Sequence, residues 1–243
     1  MDWKTLLSDK VVGKDKIGHG EPARSSFERD FDRIIFSYPF RRLQDKTQIF
    51  PIPVHDFVHS RLTHSLEVSS VGRSLGKIVG EQLLKENPEL RQSNISPYDF
   101  GAIVAAASLT HDLGNPPFGH AGEKAISDYF ISGEGKKFKG YLSTHQWHDL
   151  TNFEGNAQGF KLLNKKEYQG LRLTYATLLA FSKYPRESYL PQADPGRKSQ
   201  KKYGFFQSEK EIFKELANEA GLIPLQEDAL AWCRHPLTFL VEA

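Results

Sequence analysis

The sequence contains two groups of histidines and carboxylates whose spacing could support chemistry. In the first group, His111 and Asp112 are adjacent and follow the apolar, alanine-rich stretch 103–107. Neighbouring ionisable residues are costly to bury at such a place unless they are paired or bind a cation. His64 belongs to the preceding predicted helix and is expected to face the core. A lone core histidine is usually a hydrogen-bonded packing residue, but two imidazoles with a carboxylate suit Mn²⁺, Fe²⁺, Ni²⁺, Co²⁺ or Zn²⁺, and weaker sites accept Mg²⁺.

The second group follows a rigid loop. Residues 113–119 contain two glycines and two consecutive prolines, and they place His120 at the beginning of a predicted helix. Glu123 lies about one helical turn later, on the same face as His120. A carboxylate that orients an imidazole sets its tautomer and raises its basicity, so His120 is predicted to act as a general acid/base or a nucleophile. The structural alternative is that Glu123 only stabilises the positive end of the helix.

The elements that position these residues are predicted to be helical, because sustained strand alternation is missing and apolar residues recur at helical spacing. The fold class expected is all-α, with one domain over residues 25–243 after a polar lead-in over residues 1–24. Helices are expected over 25–47 with a break at Pro39, about 56–87, 96–112, 119–130, 153–165, 171–183, 209–219 and 226–243. A polar loop is expected over 132–150, and a basic loop or small hairpin over 184–208.

Two of these helices carry explicit predictions about which residues face the core. On the helix that begins near residue 56, the inward residues are expected to be His64, Val68, Val71, Leu75, Ile78 and Val79. On the helix over 119–130, they are expected to be Ala125, Ile126, Tyr129 and Phe130. Ser96 is a candidate N-cap, since Pro97 follows it at the first helical position.

Composition excludes several classes of protein. Cys233 is the only cysteine among the 243 residues, which rules out an intramolecular disulfide and a thiolate zinc site and favours a reducing cytoplasm. No stretch is long and apolar enough for a membrane helix, so no membrane partner is expected. The net charge of +2 is mild, but basic residues cluster near 24–42 and 197–202. These clusters are either solvated surface or a site for a polyanion such as nucleotide phosphates.

Two long motifs identify a family resemblance. Residues 61–68 (RLTHSLEV) and 111–123 (HDLGNPPFGHAGE) resemble the dGTP triphosphohydrolase family of the HD superfamily. Residues 41–48 (RRLQDKTQ) and 152–159 (NFEGNAQG) are similar to the same family, and the similarity extends from about residue 24 to the end. Motifs this long with such rigid spacing rarely arise by chance.

The resemblance implies an HD-type helical bundle around a divalent metal ion, with manganese, magnesium or another transition metal as the cofactor. His64, His111 and Asp112 would be metal ligands, and His120 with Glu123 would be the catalytic pair. The implied reaction is attack of water on the α-phosphorus of a deoxynucleoside triphosphate, which yields a deoxynucleoside and inorganic triphosphate. The resemblance also implies a homo-oligomer, a hexamer built from dimers.

The resemblance further implies a set of substrate-binding residues. Gln48 would approach the deoxyribose, and the phosphates and sugar would meet Asn156, Lys183, Tyr184, Arg61 and Lys202. For Lys183 the sequence gives an independent argument, because a lysine at the end of an apolar helix can offer a point charge to phosphate. The structural alternative is that Lys183 only stabilises the negative, C-terminal end of its helix.

Members of this family carry a fourth metal ligand, an aspartate just after a segment like residues 236–243. We therefore expect this chain to be the N-terminal portion of a longer enzyme and, by itself, to bind metal weakly and to have little activity. The alternative is a naturally short form that binds nucleotides or single-stranded DNA through its basic loops without catalysis. Related HD enzymes that cleave nucleoside monophosphates, cyclic dinucleotides or guanosine tetraphosphate are disfavoured by the Gln48 segment and by the loop before His120.

Overall fold

The computed structural model describes residues 1–12, 24–47, 59–165, 170–194, 196–226 and 230–243. These residues are mostly helical and contain only isolated β-bridges, such as the bridge between Val11 and Thr174, which confirms the predicted all-α class. The α-helices are α1 (Trp3–Leu6), α2 (Ser26–Ile35), α3 (Tyr38–Arg41), α4 (Arg61–Glu86), α5 (Glu89–Gln92), α6 (Pro97–Thr110), α7 (His120–Ile131), α8 (Thr144–Thr151), α9 (Gly155–Leu163), α10 (Tyr175–Phe181), α11 (Lys210–Glu219) and α12 (Thr238–Glu242). Short 3₁₀ helices span Arg42–Asp45, Glu134–Tyr141, Lys198–Gln200 and Gln207–Glu209.

The pairing of α4 with α6 forms the centre of the fold. The face of α4 that meets α6 is built from small residues at a spacing of about four, namely Ser65, Ser69, Gly72, Gly76 and Gly80. A Cβ atom on Gly76 would lie 2.7 Å from the carbonyl oxygen of Phe100, so the two backbones approach more closely than larger side chains would allow. The predicted inward face of α4 is therefore wrong: Val71 is 59% exposed and Ile78 is 65% exposed.

Helix α6 is buried along most of its length. Ser96 precedes it and forms a capping box with Asp99, and Pro97 occupies the first turn, which confirms the predicted beginning. Its buried residues include Phe100, Ile103 and Leu109, and α2, α4, α10 and α12 all pack against it. An apolar helix enclosed on several sides presents its C-terminal end, with His111 and Asp112, to a well-fixed position.

The segments around α7 differ from the sequence prediction. Glu123 is the buried residue of α7, whereas Ala125 is exposed and Tyr129 is 46% exposed, so the predicted inward face is wrong. The predicted loop 132–150 contains instead the 3₁₀ helix Glu134–Tyr141 and α8, whose N-cap Ser143 forms a capping box with Gln146. This S-x-x-Q pattern at residues 143–146 is the sequence signal that marks the beginning of α8.

Other helix boundaries in the structure also differ from the predicted ones. The first predicted helix does not break at Pro39: α2 ends at Ile35, and Ser37 caps α3, which contains Pro39 in its first turn. The described part of 184–208 contains no hairpin; Phe205 instead stacks on Phe213 of α11, with ring centroids 4.3 Å apart. Within 230–243 only Thr238–Glu242 is α-helical, so the helix predicted over 226–243 is wrong.

The first residues of the chain contribute to the core although the sequence suggests a polar lead-in. Leu6 and Leu7 are buried in the main hydrophobic cluster, and the backbone oxygen of Leu6 lies 3.0 Å from the Nε2 atom of buried His235. The N-terminal residues are thus packed beside the segment that leads into α12. None of the helices in the described ranges combines the length and the apolar character needed to cross a membrane.

Candidate active site

Three predicted metal ligands come together where the beginning of α4 meets the end of α6. His64 is in the first turns of α4, His111 is the C-cap of α6, and Asp112 follows it. One potential ligand atom from each of these three residues lies within 4.8 Å of the others, and the two imidazole centroids are 5.2 Å apart. We call these three residues the ligand cluster.

The hydrogen bonding of His111 leaves one ring nitrogen available. Its Nδ1 lies 2.7 Å from the backbone oxygen of Ser108, which requires a proton on Nδ1 and leaves the lone pair on Nε2. Nε2 lies 3.6 Å from Asp112 Oδ2, inside the cluster. Burial is the largest influence on His111 and lowers its pKa from the ordinary value, while the nearby Asp112 opposes the shift. The surroundings of His111 therefore favour a neutral imidazole whose Nε2 lone pair can coordinate a cation.

Asp112 presents a carboxylate oxygen without a hydrogen bond. The residue is buried, and its Oδ1 accepts a hydrogen bond of 2.6 Å from Asn115 Nδ2. Its Oδ2 lies 2.8 Å from Arg61 Nη1 as an ion pair, but no donor in the described chain makes a hydrogen bond to it. A buried carboxylate oxygen that is ion-paired with one guanidinium, but not hydrogen-bonded, still has a lone pair that a metal ion could use. Together with the free Nε2 of His111, this donor set fits a divalent transition metal.

A second group with possible metal ligands shares His64 but is less suitable. It consists of His59, His64 and Glu67, and both His59 and Glu67 are exposed. His59 Nε2 and Glu67 Oε2 are already paired at 3.1 Å. Exposed groups that satisfy each other gain less from an ion than the buried oxygen of Asp112, so the ligand cluster is the better site.

His120 and Glu123 form the second functional group. Gly119, with φ of +55°, turns the chain into α7 and places His120 at its first position. His120 Nδ1 lies 2.7 Å from Glu123 Oε2, and Glu123 Oε1 accepts a hydrogen bond of 2.8 Å from the backbone N–H of Gly155. The side chain of Glu123 is 11% exposed, whereas that of His120 is 84% exposed. The pair thus combines a fixed carboxylate with an imidazole that is open to a substrate.

Glu154, which is not among the site residues predicted from the sequence, links two of the predicted substrate residues, Asn156 and Lys202. Glu154 is the buried N-cap of α9, and its Oε1 accepts a hydrogen bond of 2.7 Å from Asn156 Nδ2. Lys202 Nζ lies 3.1 Å from each Glu154 oxygen and 3.9 Å from Glu123 Oε2. We call His120, Glu123, Lys202 and Glu154 the His120 network. The only sequence signal for Glu154 was its place in the motif NFEGNAQG, before the helix-starting Gly155.

Lys183 and Tyr184 line the region between the two groups. Lys183 Nζ lies 3.9 Å from Glu242 Oε1, and Arg234 Nη1 lies 2.7 Å from Glu242 Oε2. The Arg234 guanidinium sits 5.7 Å from the ring centroid of Tyr184. Burial raises the pKa of Tyr184, and the charge of Lys202 opposes the shift, which indicates that Tyr184 is near the His120 network. Arg234 is not among the site residues predicted from the sequence, because it is a single basic residue outside the family motifs.

The loop that joins the two groups is held by close backbone packing. A Cβ atom on Gly114 would collide with the backbone of Gly155, and a Cβ atom on Gly155 would collide with Asn115. Lys46 Nζ donates a hydrogen bond of 2.9 Å to the Asn115 backbone oxygen, and burial lowers the pKa of Lys46. Lys46 is not among the site residues predicted from the sequence. Gln48, which it placed beside the deoxyribose, lies outside the described residues.

Comparisons with known proteins show which proteins this chain is similar to. Residues 61–154 match the HD domain family. A protein from Synechocystis named "Deoxyguanosinetriphosphate triphosphohydrolase-like protein" is 49% identical over 100% of this chain and 57% of its own length. Proteins with the same name are 46% identical in Pseudomonas aeruginosa and 38% identical in Listeria monocytogenes, over 100% of this chain and 54% and 52% of their own lengths. The chain spans about half the length of the curated relatives it matches.

Proposed function

The chain belongs to the family of deoxyguanosinetriphosphate triphosphohydrolase-like HD-domain proteins, and we propose that it serves the metal-dependent hydrolysis of deoxynucleoside triphosphates to deoxynucleoside and inorganic triphosphate. The observation that carries the proposal is the pairing of two groups in one site. The ligand cluster offers a buried carboxylate oxygen that is ion-paired with Arg61 but not hydrogen-bonded, and the His120 network offers an exposed imidazole fixed by a buried carboxylate.

The residues that would hold the metal are His64, His111 and Asp112. A divalent ion bound there would polarise a phosphoryl oxygen or activate water. The protein supports this role by keeping His111 neutral and by holding Asp112 through Asn115 Nδ2. A ligand oriented by such a partner keeps its position when the ion leaves and returns.

His120 is the residue best placed to exchange a proton with, or to attack, the substrate. Its Nδ1 faces Glu123, so its Nε2 remains for the substrate in the exposed part of the site. The carboxylate of Glu123 stabilises a positive charge that develops on the imidazole. Both roles of His120, as nucleophile or as proton shuttle, use the same pairing with Glu123.

Cations around the two groups supply binding for phosphate. Arg61 approaches Asp112, and Lys183 and Arg234 share the carboxylate of Glu242. Arginine and lysine side chains in such positions can exchange part of their pairing with a carboxylate for contact with phosphate oxygens. These residues would stabilise the negative charge that accumulates on the transferred phosphoryl group.

The test is a product assay. The protein, expressed from its complete gene and loaded with Mn²⁺, should convert dGTP or another deoxynucleoside triphosphate to a deoxynucleoside and inorganic triphosphate, detected by phosphorus NMR. The ribonucleotide GTP and a sample stripped of metal with a chelator serve as controls, and both should react much more slowly. Release of pyrophosphate or orthophosphate as the first product would contradict the proposal.

A further inference from the structure

Arg234 and Lys183 approach the same carboxylate, but at different distances. Arg234 Nη1 lies 2.7 Å from Glu242 Oε2, whereas Lys183 Nζ lies 3.9 Å from Glu242 Oε1. The first distance is that of a charge-assisted hydrogen bond, and the second is too long for one. The carboxylate of Glu242 is therefore hydrogen-bonded to the guanidinium and not to the ammonium of Lys183.

The two cations also differ in their access to a ligand. The Arg234 side chain is 5% exposed, and its guanidinium packs against the rings of Tyr184 and Phe239, at centroid distances of 5.7 Å and 5.6 Å. The Lys183 side chain is 27% exposed. Burial lowers the pKa of His111, and the charge of Lys183 contributes to that shift, so the ammonium lies near the ligand cluster. Of the two cations, Lys183 is thus the more accessible to a phosphate.

The guanidinium of Arg234 is held by the segment that carries Lys183. Arg234 Nε donates a hydrogen bond of 2.7 Å to the Lys183 backbone oxygen. Two residues earlier, the Trp232 N–H donates one of 2.9 Å to the Pro185 backbone oxygen. Residues 183–185 and 232–234 therefore run beside each other in opposite directions, and contacts within the protein hold the guanidinium at this place.

Glu242 is brought to the same place by the packing of α12 on α10. It belongs to α12, and Thr238 Oγ1 of that helix donates a hydrogen bond of 3.2 Å to the Leu179 backbone oxygen in α10. Lys183 follows two residues after the end of α10. Packed helices thus keep the Glu242 carboxylate and the Lys183 ammonium close together, and opposite charges attract strongly where they are only partly exposed to solvent. Without a competing cation, the ammonium would close onto this carboxylate.

We propose that Arg234 is a positioning residue for the proposed hydrolysis, on which this inference rests: it occupies Glu242 and so keeps the Lys183 ammonium available to a substrate phosphate. While the guanidinium neutralises Glu242, the carboxylate attracts a second cation only weakly, and the ammonium can turn to a phosphate oxygen. Loss of the Arg234 charge would leave Glu242 with only one of its two cations, Lys183. The ammonium would then approach the carboxylate, and its contact with phosphate would weaken.

The experiment is a double-mutant cycle with Arg234→Gln, Glu242→Gln and the pair combined, assayed with Mn²⁺ and dGTP. The amide nitrogen of glutamine has the same place along the side chain as Arg234 Nε, so it can still donate to the Lys183 backbone oxygen while the charge is lost. We expect Arg234→Gln to raise KM about tenfold, as for the loss of one charge-assisted hydrogen bond, with kcat changed less than about threefold. In the Glu242→Gln background the same change should raise KM less than about twofold, because the carboxylate that captures Lys183 is gone.

A conservative variant provides a second test of the same idea. Arg234→Lys keeps a cation for Glu242, so KM should stay within about threefold of the unmodified protein. A tenfold rise in this variant would overturn the proposal. No rise in KM for Arg234→Gln, or an equal rise in both backgrounds of the cycle, would also overturn it, and an equal rise would make Arg234 itself a phosphate ligand.

Arg33→Gln is the matched control. Arg33 likewise lies beside a buried carboxylate, with Nη1 3.3 Å from Asp30 Oδ1, and likewise donates to a backbone oxygen. Asp30 accepts a hydrogen bond of 2.8 Å from the backbone N–H of Thr174, the N-cap of α10, whereas Lys183 follows the other end of that helix. The KM of this variant should therefore stay within about twofold, since separate sites act independently.

Two readouts that need no catalysis separate this inference from the proposed function. Binding of inorganic triphosphate without metal, measured by isothermal titration calorimetry, should weaken about tenfold on Arg234→Gln, and much less in the Glu242→Gln background. In a crystal structure of the Arg234→Gln protein, Lys183 Nζ should move from 3.9 Å to hydrogen-bond distance of Glu242. An unchanged separation would overturn the positioning role even if the protein hydrolyses dGTP. A shortened separation in a protein that releases no triphosphate from dGTP would support the role of Arg234 while the proposed reaction fails.

Discussion

The ligand cluster and the His120 network are neighbours built from the same residue types, but they differ in how their buried oxygens are satisfied. In the His120 network, Glu123 contacts His120 and the Gly155 N–H, and Glu154 contacts Asn156 and Lys202. In the ligand cluster, Asp112 Oδ2 has an ion pair with Arg61 but no hydrogen bond. One group is complete within the protein, and the other has an open position.

This difference separates the group that could still accept a cation from the group whose carboxylates are already hydrogen-bonded within the protein. A buried carboxylate oxygen that has an ion pair but no hydrogen bond keeps a lone pair that a metal ion could use. A carboxylate with a full set of partners has nothing to gain from an ion and can instead hold an imidazole in one orientation. Substitutions in the ligand cluster should therefore lower metal affinity, whereas substitutions in the His120 network should lower kcat and leave metal affinity nearly unchanged.

The largest expected effect comes from Asp112→Asn, which keeps the shape of the side chain and removes its charge. We expect loss of tight Mn²⁺ binding and a fall in kcat/KM of at least about a thousandfold, because the ion contributes several kcal/mol of charge stabilisation. Equilibrium dialysis measures the metal, and triphosphate release measures the activity.

His120→Asn is the matched comparison from the other group. It should lower kcat by about a hundredfold or more and leave Mn²⁺ affinity within a few fold, because the His120 network is complete without the ion. Equal loss of metal in both variants would show that the two groups are not distinct.

Asn115→Ala should weaken the ligand cluster without removing a ligand. Asn115 Nδ2 is the donor that holds Asp112 Oδ1 at 2.6 Å. Loss of such a supporting contact lowers metal affinity about 10–100-fold. Isothermal titration with Mn²⁺ measures the change. Asn164→Ala is the control, since among the described residues Asn164 Nδ2 bonds to the Phe160 backbone oxygen at the end of its own helix. An effect of equal size there would argue against a specific role for Asn115.

Gly76→Ala tests the helix packing that supports the ligand cluster. The new Cβ would lie 2.7 Å from the Phe100 backbone oxygen, so α4 and α6 would have to separate. We expect a loss of about 1–3 kcal/mol in the free energy of unfolding, measured by denaturant titration. Mn²⁺ affinity should fall less than in Asn115→Ala. Gly140→Ala is the control, because a Cβ atom there meets nothing within 4 Å and stability should hardly change.

The sequence predicted the chemistry of the site better than the helix faces. The grouping of His64 with His111 and Asp112, and of His120 with Glu123, needed only short-range spacing and the rigid loop between them, and the structure brings both groups together. Their roles as ligands and catalysts stay predictions. Apolar periodicity failed on α4 because its partner helix requires glycine and serine at the contact, and a hydropathy pattern does not register such close approach.

Contacts between segments that are distant in the chain could not be predicted from the sequence. Lys202 reaches Glu154, and Arg234 reaches Glu242 beside Lys183, only because separate parts of the chain fold back to one place. Apart from the place of Glu154 in the motif NFEGNAQG, nothing in the local sequence indicates that Glu154 and Arg234 are buried and paired. The hexamer, single-stranded DNA as a partner, cytoplasmic location and the identity of the metal stay predictions for the same reason, since each depends on groups outside a single local pattern.

The smallest expected effect concerns the protonation of His111 in the metal-free protein. Burial lowers the pKa of His111 from its ordinary value of 6.5, and Asp112 raises it. As the pH falls, the unfolded chain binds this proton first, so the stability that neutral His111 contributes is present above the ordinary value and is lost as the pH falls through it. An NMR titration of the His111 Cε1 proton should give a midpoint below 6.5, and Asp112→Asn should lower it further. A midpoint at or above 6.5 would mean that the ligand cluster is not built around a neutral imidazole, and that its difference from the His120 network is smaller than the contacts suggest.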